Sequence, residues 1–157
     1  MQANPIIRAM EPTEETEVCS LIERVFKDSV APLYSEQSVS EFLSYVRPGS
    51  IPLRLKQDHF VLVAVQGGRI VGVAGVRDRH HISLLFVDSE FQKRGIGREL
   101  VRHTLEMASE SRTARPAVTA NSSPNAVHFY ERFGFESCGP EQTIDGVSFI
   151  PMILRSR

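Results

Sequence analysis

The segment FVDSEFQKRGIGREL, which spans Phe86–Leu100, decides how the rest of the sequence is interpreted. An apolar strand ends there, and a Gly-x-Gly turn opens a helix. The first N–H groups of a helix have no internal partners and carry a partial positive charge, and glycine lets a ligand approach the backbone closely. An isolated Gly-x-Gly is more often an ordinary turn. Because Lys93, Arg94 and Arg98 surround this one with cations, the segment predicts a phosphate or pyrophosphate site.

Two common phosphate-binding motifs do not match this segment. A P-loop would have Lys-Ser or Lys-Thr after the second glycine, where Arg98-Glu99 stands. A dinucleotide fingerprint would have a third small residue in place of Leu100 and an acidic residue ending the next strand. A generic nucleotide-binding α/β domain is therefore the least favoured interpretation.

The composition indicates a single globular domain over residues 1–157, with 41% hydrophobic and 24% charged residues. A net charge of −1 does not favour nucleic acid or a membrane surface as a partner. No apolar run is long enough to cross a bilayer and the N-terminus does not resemble a signal peptide, so we expect a cytoplasmic protein. Cys19 and Cys138 are expected to be reduced thiols, and the five histidines show no metal-binding spacing, so we expect no metal.

Apolar periodicity and turn residues predict the order β-α-α-β-β-β-α-β-α-β-β. The predicted strands are 5–10, 59–65, 70–76, 81–87, 117–120, a strand beginning at Phe135, and 146–154. The predicted helices are one capped by Thr13 and running to Phe26, then 36–46, 95–109 and 125–132, with a loop over 50–58. Tight turns make the strands within 59–87 an antiparallel meander, and the following strand–helix–strand unit implies a parallel crossover. The predicted fold class is α+β, with a mixed, mostly antiparallel central sheet flanked by helices.

Two segments together resemble a known family. The pattern Gln92-x-x-Gly95-x-Gly97 follows the strand end Leu85-Phe86-Val87, and residues 121–135 read NSSPNAVHFYERFGF. Both resemble signatures of the GNAT superfamily of N-acetyltransferases, and the predicted order of elements is the order of the GNAT fold. The resemblance covers about residues 5–154, although only about 81–135 carries specific motifs.

The resemblance implies acetyl-CoA, or a close acyl-CoA, as co-substrate. The backbone of Leu85, Phe86 and Val87 would pair with the pantetheine arm, and Asn125 would hold that arm from across the cleft. The pyrophosphate would be wrapped by Gln92, Lys93, Arg94, Gly95, Ile96, Gly97 and Arg98. Tyr130 would protonate the departing thiolate. Without the family motif, Tyr130 would be read as a core aromatic and Asn125 as a helix-start residue.

The general base is the least defined part of the predicted site. His81 lies on the central strand, where some members that acetylate protein lysines carry glutamate, and imidazole has a suitable pKa of ~6.5. Strand alternation predicts that His81 shares a face with Ser83 and Leu85. A half-exposed structural histidine and proton loss through water, without a dedicated base, remain alternatives. The other histidines, His59, His80, His103 and His128, are expected on surfaces.

The leading functional hypothesis is an N-acetyltransferase that moves an acetyl group from acetyl-CoA to a primary amine of a small molecule or peptide by direct attack. The alternative is a non-catalytic acyl-CoA-binding sensor or regulatory module. Tyr130 favours catalysis, whereas the undefined base leaves room for the alternative. Residues 26–58 are expected to form one wall of the acceptor pocket. Dimerisation is common in the family, which makes a homodimer a further expectation.

Overall fold

The computed structural model describes residues 4–46, 59–109, 117–144 and 147–155. Within these ranges, the strands are β1 (Ile6–Ala9), β2 (Phe60–Gln66), β3 (Arg69–Arg77), β4 (His81–Val87), β5 (Val118–Ser122), β6 (Glu136–Ser137), β7 (Gln142–Ile144) and β8 (Val147–Leu154). The α-helices are α1 (Glu15–Val25), α2 (Glu36–Tyr45), α3 (Ile96–Ser109) and α4 (Val127–Glu131). The predicted loop over 50–58 and the start of the last strand at Gly146 lie outside the described residues.

The strands form one mixed sheet in the order β1-β2-β3-β4-β5-β8-β6, and β7 pairs with the outer edge of β8. Every pairing is antiparallel except that of β4 with β5, which flank the crossover helix α3. The predicted fold class is thereby confirmed. The strand β7 was not predicted, because Gln142–Ile144 is too short to show a period and takes its extended form from pairing with β8.

Adjacent residues of β3 show which helices cover each face of the sheet. Val73 shares a buried cluster with residues of α1 and α2, whereas Ala74 shares one with Leu100 of α3. Successive strand residues point to opposite faces, so α1 and α2 cover one face and α3 covers the other. Tyr130 packs with the α3 side, which places α4 there as well. Gly72 lets α3 approach closely, since a Cβ at this position would lie 3.0 Å from Ile96 Cγ2.

A β-bulge in β4 changes the face to which its side chains point. Val76 pairs with Ile82 and Gly75 pairs with Leu84, which leaves Ser83 without a register partner. Ile82 consequently packs on the α3 side, and Leu85 also packs there. The prediction that His81 shares a face with Leu85 is therefore wrong. The inserted residue reverses the alternation between the two positions.

Two helix starts also differ from the prediction. Thr13 does not cap α1, because it lies inside a short 3-10 turn formed by Pro12–Glu14. Helix α4 begins at Val127 rather than at Asn125, because the Ala126 N–H donates to the Ser123 carbonyl and closes a turn first. Both differences come from local hydrogen bonds that compete with the first turn of a helix.

Candidate active site

The centre of the sheet splits open between β4 and β5. Their pairing consists of His81 with Thr119 and Ile82 with Ala120. Beyond these residues β4 stays with β3, whereas β5 stays with β8 along all of Val118–Ser122. The bulge at Ser83 lies where the separation begins, as expected for a feature that bends a strand. One edge of the remaining part of β4 therefore faces an opening instead of a neighbouring strand.

A cleft of about 400 Å³ occupies this opening. Its wall along β4 consists of Ser83, Leu84, Leu85, Phe86 and Val87. Val25 and Phe42 line it from the α1 and α2 face of the sheet, and Phe129 and Tyr130 line it from the α3 and α4 face. The cleft therefore passes through the sheet, and two reactants can approach its centre from opposite faces.

The predicted anion loop leads from the end of β4 into α3. The side-chain amide of Gln92 donates to the Val87 carbonyl oxygen at 2.9 Å, which ties the loop back to the strand. Gly95 has a φ of 87°, a backbone conformation that favours glycine. No atom lies within 4 Å of a Cβ built on it, so there is open space beside the backbone here. The first helical bond runs from the Glu99 N–H to the Gly95 carbonyl. The N–H groups of the first turn of α3 are therefore available to an anion.

The cations of this loop are also available. Lys93, Arg94 and Arg98 are all exposed, and none of them forms an ion pair with another residue that the structure describes. Gly97 sits on the packing side of the loop, where a Cβ would lie 3.3 Å from the Cε1 and Cζ atoms of Phe129. Glycine at this position lets the start of α3 lie directly against α4, which carries Tyr130.

Tyr130 is buried, with 3% of its surface exposed, and it lines the cleft. Its ring makes edge-on contacts with Phe129 and Phe135 at centroid distances of 5.3 and 5.4 Å. Burial raises the pKa of its hydroxyl, so the group stays protonated at neutral pH. Among the described residues the hydroxyl has no hydrogen-bond partner. Because Tyr130 lines the cleft, a ligand bound there could accept a hydrogen bond from this hydroxyl.

Asn125 lines the cleft beside the first turn of α4, and its Oδ1 accepts a hydrogen bond from Ser123 Oγ at 2.7 Å. The structure thus brings Asn125 and Tyr130 to the same cleft as Leu85, Phe86, Val87 and Gln92. Sequence reasoning did not assign several polar residues of the lining to the site, among them Arg77, Ser83, Asn121 and Ser148. Asn121 could have been predicted as a site residue, because it begins the second signature segment at the end of a strand. Nothing in the sequence indicated that Ser83 lines the cleft.

His81 does not line the cleft, because it lies where β4 and β5 are still paired. Its Nδ1 is 2.6 Å from Thr119 Oγ1, and its Nε2 is buried without a partner among the described residues. Burial, together with the charges of Arg77 and His80, lowers the pKa of His81 from 6.5 to about 4. The imidazole is therefore neutral at pH 7.

Three comparisons place these features beside known proteins. The family model described as an acetyltransferase (GNAT) domain matches residues 30–156. An uncharacterised N-acetyltransferase of Escherichia coli K12, YafP, is 28% identical over 131 residues, which are 83% of this chain and 81% of that protein. A GCN5-related N-acetyltransferase structure from Rhodopseudomonas palustris superposes with a TM-score of 0.83 at 22% identity, covering 98% of this chain and 96% of that one. The PaiA N-acetyltransferase of Thermoplasma acidophilum, solved in complex with coenzyme A, gives 0.76 at 15% identity, covering 96% and 98%.

Two further observations concern the described residues alone. None of their helices combines the length and the apolar character that crossing a membrane requires. They also contain no group of three or more His, Cys, Asp or Glu side chains that could hold a metal ion.

Proposed function

Because this chain belongs to the GNAT acetyltransferase family and is an acyltransferase, we propose that it transfers an acetyl group from acetyl-CoA to a primary amine of a small molecule or peptide. The observation that carries the proposal is the cleft that passes through the sheet between β4 and β5. Such a cleft lets a donor and an acceptor meet from opposite faces at one point.

The residues along β4 and the anion loop fit a coenzyme A thioester. The amide groups of a pantetheine arm can pair with the open edge of β4 at Leu85, Phe86 and Val87, as an added strand would. The open space at Gly95 and the N–H groups of the first turn of α3 fit a pyrophosphate. The exposed side chains of Lys93, Arg94 and Arg98 add positive charge at the same end.

Acetyl-CoA, when bound, supplies an acyl group that is already activated as a thioester, so an amine can attack it without a covalent enzyme intermediate. The amine nitrogen forms the new bond to the carbonyl carbon and releases its extra proton to water, and the carbon–sulfur bond breaks. A backbone N–H of β4 near Phe86 or Val87 would stabilise the charge that develops on the carbonyl oxygen. Tyr130 donates its hydrogen bond, and then its proton, to the departing sulfur, and it recovers the proton from water.

The attacking amine must first lose a proton, because a lysine-like amine has a pKa of ~10.4 in water. His81 is poorly placed to take it, since the imidazole does not line the cleft and is bonded to Thr119. We therefore assign this proton transfer to water in the cleft rather than to His81.

Isothermal titration with acetyl-CoA tests the donor site. Gly95→Glu should abolish binding, because the carboxylate would fill the open space and repel phosphate. Gly67→Glu is the matched control, since Gly67 also has a positive φ, 62°, and nothing within 4 Å of a Cβ. Wild-type protein that does not bind acetyl-CoA would contradict the proposal.

A panel of amines then tests catalysis through release of free coenzyme A thiol. The panel should include small amines, amino acids and peptides with free N-termini. Turnover with one of these classes identifies the acceptor. Binding without turnover for any amine would instead favour the non-catalytic acyl-CoA-binding module.

A further inference from the structure

A buried carboxylate stands at the beginning of the anion loop. Asp88 is 3% exposed, and its Oδ2 accepts hydrogen bonds from Arg24 at 2.8 Å and Arg69 at 3.2 Å. Its Oδ1 accepts the backbone N–H of Glu90 at 3.0 Å, and its own N–H donates to the Val71 carbonyl at 2.8 Å. Asp88 thus joins α1, β3 and the first turn of the loop at one point.

The Asp88 carboxylate is ionised in this setting. Burial by itself would raise its pKa, but the Glu90 N–H and the Arg24 guanidinium lower the pKa by more. A buried carboxylate is destabilising unless it is compensated, so the contacts with Arg24, Arg69 and the Glu90 N–H favour this position of Asp88. The start of the loop is therefore firmly fixed.

Arg69 connects this fixed point to the cations of the loop. Besides pairing with Asp88, its guanidinium lies 5.5 Å from the centroid of the Phe91 ring. Arg94 lies 5.1 Å from the same centroid. A guanidinium within about 6 Å of an aromatic centroid is attracted to the ring, so Arg69, Phe91 and Arg94 form a chain of contacts, which we call the Phe91 stack.

The loop needs such support because its backbone is strained. Lys93, between Phe91 and Gly95, has a φ of 65°, a conformation that costs a residue with a Cβ free energy. Contacts that hold the neighbouring residues keep a strained segment in place. Gln92 provides one such contact through Val87, and the Phe91 stack provides the others.

We propose that Arg69 is a positioning residue for the phosphate-binding loop, acting through Asp88 and Phe91 rather than by touching the donor. This inference rests on the proposed function, because it concerns binding of the same donor. Arg69 holds the Phe91 ring from one side and thereby sets the position of Arg94 and the curvature of the loop at Lys93. A preorganised loop loses less conformational freedom when the pyrophosphate binds.

The test compares two acetyl donors, acetyl-CoA and S-acetylpantetheine, which has the same thioester but none of the phosphates at the other end. Arg69→Gln should raise the KM for acetyl-CoA roughly fivefold, the effect of losing about one exposed cation–π contact, and leave its kcat unchanged. With S-acetylpantetheine both constants should equal those of the wild type. Arg102→Gln, which removes an exposed cation paired with Glu99 on α3, should change neither donor.

Arg69→Lys separates geometry from charge. Lysine keeps the positive charge but lacks the planar guanidinium that pairs with Asp88 and stacks on Phe91. It should therefore raise the KM for acetyl-CoA as much as glutamine does. A normal KM in Arg69→Lys would overturn the proposal by showing that charge alone matters.

Two other results would also overturn the proposal. One is an equal rise in KM with both donors, which would indicate damage to the whole fold or to catalysis. The other is an unchanged KM in Arg69→Gln. Failure of the proposed function gives a different result, because the wild type would then bind no acetyl-CoA. In that case the inference about Arg69 would fail together with the proposed function.

Discussion

The Tyr34 hydroxyl donates a hydrogen bond to the Ser148 carbonyl oxygen at 2.8 Å, and both residues line the cleft. Tyr34 belongs to the connection between α1 and α2, whereas Ser148 belongs to β8. The bond therefore ties the helices on one face to the C-terminal half of the sheet, beside the space that an acceptor would enter. The Tyr34 ring is held independently by stacking on Phe26 at 6.4 Å.

Tyr34→Phe should keep the ring stack but lose the bond to Ser148. We expect the free energy of unfolding to fall by about 1 kcal/mol, the usual effect of one hydrogen bond. The KM for the amine should change more than the KM for acetyl-CoA, because Tyr34 lies in the segment 26–58 that is expected to form a wall of the acceptor pocket. Urea denaturation and steady-state kinetics measure the two effects. Thr143→Val removes an exposed hydrogen bond to Ser148 Oγ and serves as the control, with little expected change.

Tyr130→Phe should lower kcat without lowering the stability of the protein. Without the acid that protonates sulfur, kcat should fall on the order of 100-fold. Stability should change little, because the hydroxyl forms no hydrogen bond with another described residue and the ring contacts with Phe129 and Phe135 are retained. Initial-rate assays measure kcat, and thermal unfolding measures stability. A wild-type kcat in this variant would remove Tyr130 from the mechanism.

His81 should contribute to the pH dependence of stability but not to turnover. Its pKa is about 4 in the folded protein and 6.5 as the ordinary value, so the unfolded chain binds more protons between these pH values. Stability from this residue is therefore complete above about pH 6.5 and is lost as pH falls towards 4. His81→Gln should flatten the dependence of the urea midpoint on pH in that window.

Glu14 and Asp88 also have lowered pKa values, but they contribute to the pH dependence of stability in both proteins. The difference between wild type and His81→Gln therefore reports the contribution of His81. The same variant should retain kcat and the shape of the pH–rate profile. A large drop in kcat together with a shifted profile would restore His81 as the general base.

The turn at Gly95 and the cations around it could be predicted from the sequence because their cause is local. Gly95 needs a positive φ, and the cations stand within a few residues of it, so a short segment contains all the information. The helices α1 and α3 were predictable from their apolar faces. The GNAT resemblance, which combined this loop with the segment 121–135, is confirmed by the family match.

The position of His81 could not be predicted, because its cause is not local. The residues around Ser83 do not indicate a β-bulge, because the bulge is defined by the register between β3 and β4. One extra residue reversed the face predicted for His81, and the remaining pairing of β4 with β5 keeps His81 out of the cleft. The contacts of Asp88 with Arg24 and Arg69 were equally hidden, since they join residues 64 and 19 positions apart in the chain.

The short pairing of β4 with β5 also divides the hydrogen-bonded ladder of the sheet into two parts. Among the residues that the structure describes, strands β1–β4 form one hydrogen-bonded ribbon and β5–β8 another, and two residue pairs join the ribbons. Backbone amides beside this seam lack the partners that a continuous ladder would give, so we expect them to exchange faster than amides inside either ribbon. A ligand that added a strand in this gap would close the seam, and we expect its binding to slow exchange of the amides on both sides.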